Sequence, residues 1–491
     1  MTTCTRRQFI TLSALLAGSA ALSGCASPAN LLGPRRIFDH WPNEASANAW
    51  RVLNRISFGP RPEERRRAAE IGLKAFIEEQ LAPDSLNEDR RALLRARRLE
   101  SLHLDASDLF DVKREVAARE LQQAAVLRAV YSRRQLYEVM VNFWSDHFNI
   151  TQLKGDCAWL KTVDDREVIR PHALGNFRDL LFASARSPAM LTYLDNQENR
   201  VGNPNENYAR ELMELHTLGV NSGYTQRDVQ ALARCLTGWT VKRHFYRGHF
   251  AFKADSHDDA PKRVLGLNIP AGSGQAGAEA VLEKLAAHPA AARFIAKKLT
   301  RRFVSDDPPP ALVARAARAF LKSNGDIKST LRVILFSPEF LSPAATTRKL
   351  KRPFNYVVSA LRQLNAQSNG GPALLTHLSE MGQLPFHWTT PDGYPDKANF
   401  WQGTLLGRWQ FALALAHNNI PGTKINLEEL ANLASTGRER EIGELLDQFS
   451  TLLLGRPLPK ALSKRLLEIH QAGSEATLLA TLLASPAFQW K

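Results

Sequence analysis

The chain has 491 residues, 44% of them hydrophobic and 23% charged, a balance that suits a folded globular protein with a substantial core, in one large domain or two to three smaller ones. Its net charge of +15 favours anionic surfaces, yet the cations are spread along helices and no recognised nucleic-acid module is present, which argues against nucleic acid. Beyond the first 25 residues no stretch reaches the roughly 18 uninterrupted apolar residues needed to cross a bilayer.

Thr5-Arg6-Arg7-Gln8-Phe9-Ile10 precedes a weakly apolar run to Leu22, and Leu22-Ser23-Gly24-Cys25 closes it. Paired arginines before an apolar segment read as a twin-arginine export signal. Small residues before a cysteine resemble a lipobox, so Cys25 is the expected lipidation site and new N-terminus. Two or three acyl chains there would hold the protein on a membrane, facing the periplasm. Ala26, not aspartate, follows Cys25, which resembles outer-membrane sorting. Removing residues 1–24, which carry Arg6 and Arg7 and no acid, lowers the net charge from +15 to +13. Cys157 and Cys235 remain in the folded part, where one disulfide is an open option. Two thiols are too few for a thiolate-based zinc site.

Residues 25–45 read as a tether rich in Pro, Asn and Gly, and 46–491 as an all-α domain of many helices, built as one body or as two packed halves meeting near 270. The periodicity predicts a helix from Pro62 to Leu81, long charged helices from Leu86 to Val130 and an aromatic-rich helix from Ser132 to Phe148. Asn205–Leu218, with Asn205 as N-cap, and a helix opened by the capping box Thr225-x-x-Asp228 should form a packed pair. The exception to helix is a short hairpin or ordered loop at about 240–266, where Val241, Phe245, Phe250 and Phe252 surround Gly248. A second irregular region, 367–403, is dense in Gly, Pro and aromatics, too aromatic for disorder. Three segments echo one another at Ser187-Pro188, Ser337-Pro338 and Ser485-Pro486, each a helix end followed by a plugging apolar residue.

Three constellations could carry chemistry. In Asn142-Phe-Trp144-Ser-Asp-His147-Phe-Asn, His147 is either a metal ligand or proton carrier between aromatic walls, or a core histidine with one hydrogen bond. In Glu206…Arg210-Glu211-Leu-Met-Glu214-Leu-His216, two carboxylates three apart resemble half of a di-metal site. The Glu-x-x-His spacing of such sites is absent, and Arg210 is equally suited to neutralising a buried carboxylate. Asp255-Ser-His257-Asp258-Asp259 is a metal-binding loop or a plain turn, and gains weight only if it folds back on His147 and Glu211. No His-Glu-x-x-His helix, Gly-x-Ser-x-Gly elbow, phosphate-binding Gly-rich loop or Cys-x-x-Cys-His sequence occurs.

Taken in order, Arg55-Ile-Ser-Phe-Gly59, the Asn142…His147 run, Arg210 through Val220, Gly223-Tyr-Thr-Gln-x-Asp-Val229, Ala233-Arg-x-Leu-Thr-Gly-Trp239, His257-Asp258 and Pro391-Asp-Gly-Tyr…Trp401 with Arg408 resemble the bacterial family catalogued as domain of unknown function 1800. The resemblance implies an exported, mostly helical protein working beside a second exported protein similar to phosphatases and sulfatases. It carries over Asn142, Trp144, His147, Arg210, Glu211, Glu214, Asp228, Arg234, Trp239, His257 and Asp258, and leaves a ligand role for His216 in doubt.

These readings support two expectations. One is a lipid-anchored binding or assembly protein for that co-exported partner. The other is a metal-dependent enzyme, a hydrolase of an anionic envelope polymer. In the enzyme reading His147, Glu211, Glu214 and Asp258 are catalytic, and His147, Glu211, Glu214 and His257 hold a divalent metal. Asn142, Trp144, Arg210, Arg234, Trp239 and Trp401 would then bind substrate, with the aromatic loop 386–401 over the cleft.

Overall fold

Apolar residues repeating every three to four positions must bury one stripe of each helix, and helices packed on helices are the architecture this chain adopts. The computed structural model describes residues 46–88, 95, 98–342, 349–434, 441–470 and 474–491. The expected export signal, Cys25 and the expected tether lie outside them. The described residues are mostly helical, with three antiparallel two-stranded sheets as the departures. Pro42–Lys491 forms a compact unit with its own core, and no described helix is long and apolar enough to cross a membrane.

Several boundaries shift for local reasons. The stretch 62–81 is two helices, Pro62–Ile71 and Leu73–Leu81, broken at Gly72, whose φ of 83° ends the first. Between 98 and 113 the chain makes only short turns, Glu100–His103 and Ala106–Leu109, before an 18-residue helix, Arg114–Tyr131. The aromatic-rich helix runs Gln135–His147 and is buried on almost every side, with Leu136, Met140, Phe143 and Trp144 all in the core.

The expected helix pair is present with one change. Asn207–Glu211 passes into a widened π turn, Leu212–Thr217, in which the Leu218 N–H reaches back to the Met213 carbonyl at 2.8 Å. Its N-cap is Glu206, while Asn205 Oδ1 accepts from the Asn207 N–H at 2.9 Å. The Thr225/Asp228 capping box opens Gln226–Cys235 as read. The irregular stretch after it holds two hairpins, Trp239–Val241 with Phe250–Phe252 and Lys262–Val264 with Leu267–Ile269. The long loop is shorter than expected: Gln367–Ser368 pairs with Thr423–Lys424, Pro372–Glu380 is helical, and the irregular run is 381–397.

Buried arginines join these elements. Helices end with carbonyls that lack partners, and a guanidinium can satisfy several of them at once. Arg55 donates to the carbonyls of Phe303 and Val304 at the end of the Pro289–Phe303 helix. Arg362, fully buried, donates to Gly59 and Val130 carbonyls and to Glu64 Oε1 at 2.6–2.7 Å. Arg408 donates to the Lys351 carbonyl and to Gln489 Oε1, a structural role.

Candidate functional site

The last two turns of the Gln135–His147 helix form one wall of a cleft of about 560 Å³. Phe143, Asp146 and His147 line it. A second wall comes from the Pro289–Phe303 helix, whose Lys298, Arg301 and Arg302 fall three and four residues apart and so share a face. Arg352, the N-cap of Pro353–Gln363, closes the back. The segment from Asp392 to Phe400, a loop running into the short helix Ala398–Trp401, forms the remaining wall, with Tyr394, Asp396 and Phe400 in the lining. Gly393 pins that loop: its φ is 74°, and a Cβ there would collide with the Asp146 backbone carbonyl.

His147 is buried and its hydrogen bonds assign its tautomer. Nε2 lies 3.0 Å from the His216 carbonyl, which can only accept, so the proton sits on Nε2. Nδ1 then accepts from Lys298 Nζ at 2.8 Å. Burial, and after it the Lys298 charge, holds His147 well below the usual imidazole range, so it stays neutral. Burial pulls Lys298 down to about 8. His216 itself is a core residue, with both ring nitrogens unpartnered and its ring pushed down to about 3 by burial.

Asn142 Oδ1 accepts from two arginines, Arg302 Nη2 at 2.7 Å and Arg352 Nη2 at 2.8 Å, and so sets their spacing. Arg352 Nη1 also donates to Asp146 Oδ2 at 2.8 Å. Burial nevertheless raises the Asp146 carboxyl above the usual range. Asp396 behaves oppositely: burial would raise it, but Lys349, Arg302 and Arg352 hold it far below. Lys349 in turn bonds Asp306 Oδ1 at 2.7 Å and the Asp396 carbonyl at 3.0 Å.

The cleft is lined by five cations, Lys298, Arg301, Arg302, Arg352 and Lys397, against the carboxylates of Asp146, Asp392 and Asp396. Arg302 is 6% exposed and its Nε has no partner, a buried donor without an acceptor. Chemically the arrangement suits an anionic group held between guanidinium and ammonium donors beside aromatic rings.

The family model described as Protein of unknown function (DUF1800) matches residues 51–490. The chain belongs to this family. No curated protein and no solved structure matches it. The DUF1800 motif residues therefore acquire positions here. His147 lines the cleft, Asn142 does not but holds two of its arginines, and Asp392-Gly393-Tyr394 of the late motif line it as well.

Other expected site residues are placed elsewhere. Trp144 is fully buried, its Nε1 donating to the Ala173 carbonyl at 3.0 Å, so it packs the core instead of meeting a ligand. Trp239 is likewise buried, against Phe250. Trp401 is buried, donating to the Pro395 carbonyl at 2.8 Å. Arg234 forms a two-pronged pair with Asp258 at 2.6 and 3.0 Å, and His257 Nδ1 lies 2.8 Å from the Thr237 carbonyl. The 255–259 loop thus folds onto the end of the Gln226–Cys235 helix, not onto His147. Arg210 bridges Glu206 and Glu214 at 3.0 and 3.6 Å. Glu211 is half-buried, its carboxyl raised by burial and then by Glu214, and neither glutamate lines the cleft.

The proposed metal quartet His147, Glu211, Glu214 and His257 does not come together. Among the described residues no three His, Cys, Asp or Glu side chains are grouped to hold a metal ion. Both nitrogens of His147 are engaged, one of them by an ammonium, which repels a cation. Cys157 and Cys235 are separate buried thiols, pushed up to about 12 and 11 by burial.

Lys298, Arg302, Arg352, Asp146 and Asp396 were not legible as site residues. The signal that could have found the first two is the spacing Phe294, Lys298, Arg301, Arg302, which continues an apolar stripe with cations where a core-facing helix needs apolar residues.

Proposed function

We propose that this is an exported, lipid-anchored envelope protein that binds an anionic group in the cleft of His147 and Lys298. The anion belongs to an envelope polymer or to the co-exported phosphatase- or sulfatase-like partner. The observation that carries the binding reading is the unpaired Nε of the buried Arg302 among five cations. Export and anchorage draw on the Arg6-Arg7 signal and on Cys25. Titration calorimetry with sulfated polysaccharide tests the cleft. Wild-type binding should weaken at least about tenfold in Lys298→Gln combined with Arg301→Gln, the loss of two charge-assisted hydrogen bonds. Equal affinity in the variant would sink the assignment. Export and anchorage are tested by fractionating cells that express Cys25→Ala, which should leave the membrane pellet.

A second reading, hydrolysis of the bound polymer, draws on the relay from Lys298 Nζ through His147 to the His216 carbonyl. A base oriented by a third group is the pattern of an activated nucleophile or proton acceptor. In this reading Lys298 replaces the metal as the working group. It predicts that Lys298→Met abolishes turnover of the polymer, whereas a pure binder shows no turnover in the wild type.

A further inference from the structure

The hairpin of Trp239–Val241 and Phe250–Phe252 carries a loop, Lys242 to His249, that the cleft does not use. Its base is clamped. The Lys242 N–H donates to the His249 carbonyl at 2.9 Å, and the Gly248 N–H to the Lys242 carbonyl at 3.0 Å. Gly248, at φ 83°, lies so close to the protein that a Cβ would sit 3.0 Å from both the Leu160 and Phe110 side chains. Arg247 covers the Phe110 ring at 3.7 Å, and its carbonyl accepts from Ser107 Oγ at 3.2 Å.

With its base held, the tip projects. Phe245 is 93% exposed and Tyr246 is 71% exposed. Tyr246 also has a φ of 60°, a region that a bulky side chain adopts only under constraint. Around the two rings stand Lys242, Arg243 and Arg247, with His244 and His249 and no carboxylate of the loop itself. Lys242 Nζ lies over the Tyr246 ring at 5.2 Å. Arg243 and Arg247 reach the exposed Glu198 and Asp156, surface pairs weak enough to exchange for another anion.

Two aromatic rings in a cationic collar match a bilayer interface, with apolar matter below and phosphate above. A stable protein interface needs about 800 Å² on each partner, far more than one loop tip offers. We propose that loop 242–249 docks on an anionic lipid bilayer, with Phe245 and Tyr246 entering the headgroup–acyl boundary and Lys242, Arg243 and Arg247 contacting lipid phosphates. The inference rests on the lipid-anchored reading only in that Cys25 would bring the bilayer within reach.

The test uses the compact body, residues 42–491, which carries no acyl chain. It is sedimented with vesicles of phosphatidylglycerol and phosphatidylethanolamine, and with neutral phosphatidylcholine vesicles. Binding should require the anionic lipid and fall as salt rises. Phe245→Ser with Tyr246→Ser should weaken it about tenfold, through loss of the buried apolar area, with an unchanged melting temperature. Leu406→Gln with Trp409→Gln, on the other conspicuous exposed apolar surface, should leave it unchanged. Absence of wild-type binding overturns the proposal, and so does loss in the 406/409 variant but not in the tip variant. Tip-dependent self-association, or tip-dependent binding of soluble anionic polysaccharide without vesicle binding, also overturns it. Because the body lacks Cys25, these outcomes are independent of whether Cys25→Ala releases the protein in cells.

Discussion

Lys298 and His147 show how far a single residue can be read. The Asn142…His147 run marks His147 from the chain alone, but whether it binds metal or a proton depends on what faces Nδ1, and that is Lys298, 151 positions away. The consequence is measurable through pH. Burial holds Lys298 at about 8, below its unfolded value, so its ammonium is present at neutral pH and discharged above about 8. Affinity for a non-titrating sulfated ligand should therefore be level up to about pH 7 and fall above about 8, the midpoint rising as the bound anion favours the charged form. Calorimetry across pH 6 to 10 checks this, and Lys298→Gln should remove the step. Gly393 gives a second prediction at this scale. Gly393→Ala places a methyl against the Asp146 carbonyl at a positive φ, so the loop around it must lift. Ligand affinity should drop about tenfold or more, and the melting temperature should fall too, because lifting the loop draws the buried Tyr394, and Asp396 with it, from their partners.

Among the elements, what was legible follows local chemistry. The capping box of Thr225 and Asp228, the break before Pro188 and the hairpin around Gly248 are all decided within a few residues, and each is present. The π turn at Leu212–Thr217 is not, because an inserted residue leaves no compositional trace. Nor were the buried arginine staples legible, since an arginine in an apolar stripe reads as a solvated face until the carbonyls it serves are known. Arg362→Met should therefore be costly despite its preserved volume. It strands the Gly59 carbonyl, leaves the Val130 carbonyl to Arg61 alone and takes the cation from Glu64, and about 3 kcal/mol of stability should be lost in urea titration. Arg362→Lys should recover only part, because one ammonium cannot reach all three acceptors.

For the molecule as a whole, the ion pairs make stability depend on pH. Asp396 and Asp165 sit deep among cations. For Asp165, burial would raise the carboxyl, but Arg170 and then Arg128 overcome it and the group lies below its usual range. Both acids thus have folded values below their unfolded ones, near 3.9. Their stabilisation is complete above that value and is lost as pH falls towards the folded values, because the unfolded chain then binds more protons. Melting temperature by calorimetry should be flat from pH 7 to about 4.5 and fall steeply below about 4. Asp396→Asn should lower the plateau and flatten the fall. Asp146 and Glu211, raised by burial, act with the opposite sign and soften the slope.

At this scale too, two of the Ser-Pro echoes meet. The helices Phe177–Ala185 and Ile327–Leu335 start side by side, with the Phe177 N–H on the Gly325 carbonyl and the Ile327 N–H on the Gly175 carbonyl, at 2.9 and 3.0 Å. Each ends before a Ser-Pro whose serine caps a new short helix and whose following Met190 or Phe340 is buried. The chain by itself determined its helical class, the Thr225/Asp228 capping box and its family membership, because these rest on periodicity and on residues close in sequence. Only the tertiary structure decided which charges meet. It gathers Lys298, Arg302, Arg352 and Asp396 around Asn142 and His147, and it sends His257, Asp258 and Arg234 to a separate helix end. The physical reason is that a charge takes its role from its neighbours and its burial, and in a helical fold those neighbours come from helices far apart in the chain.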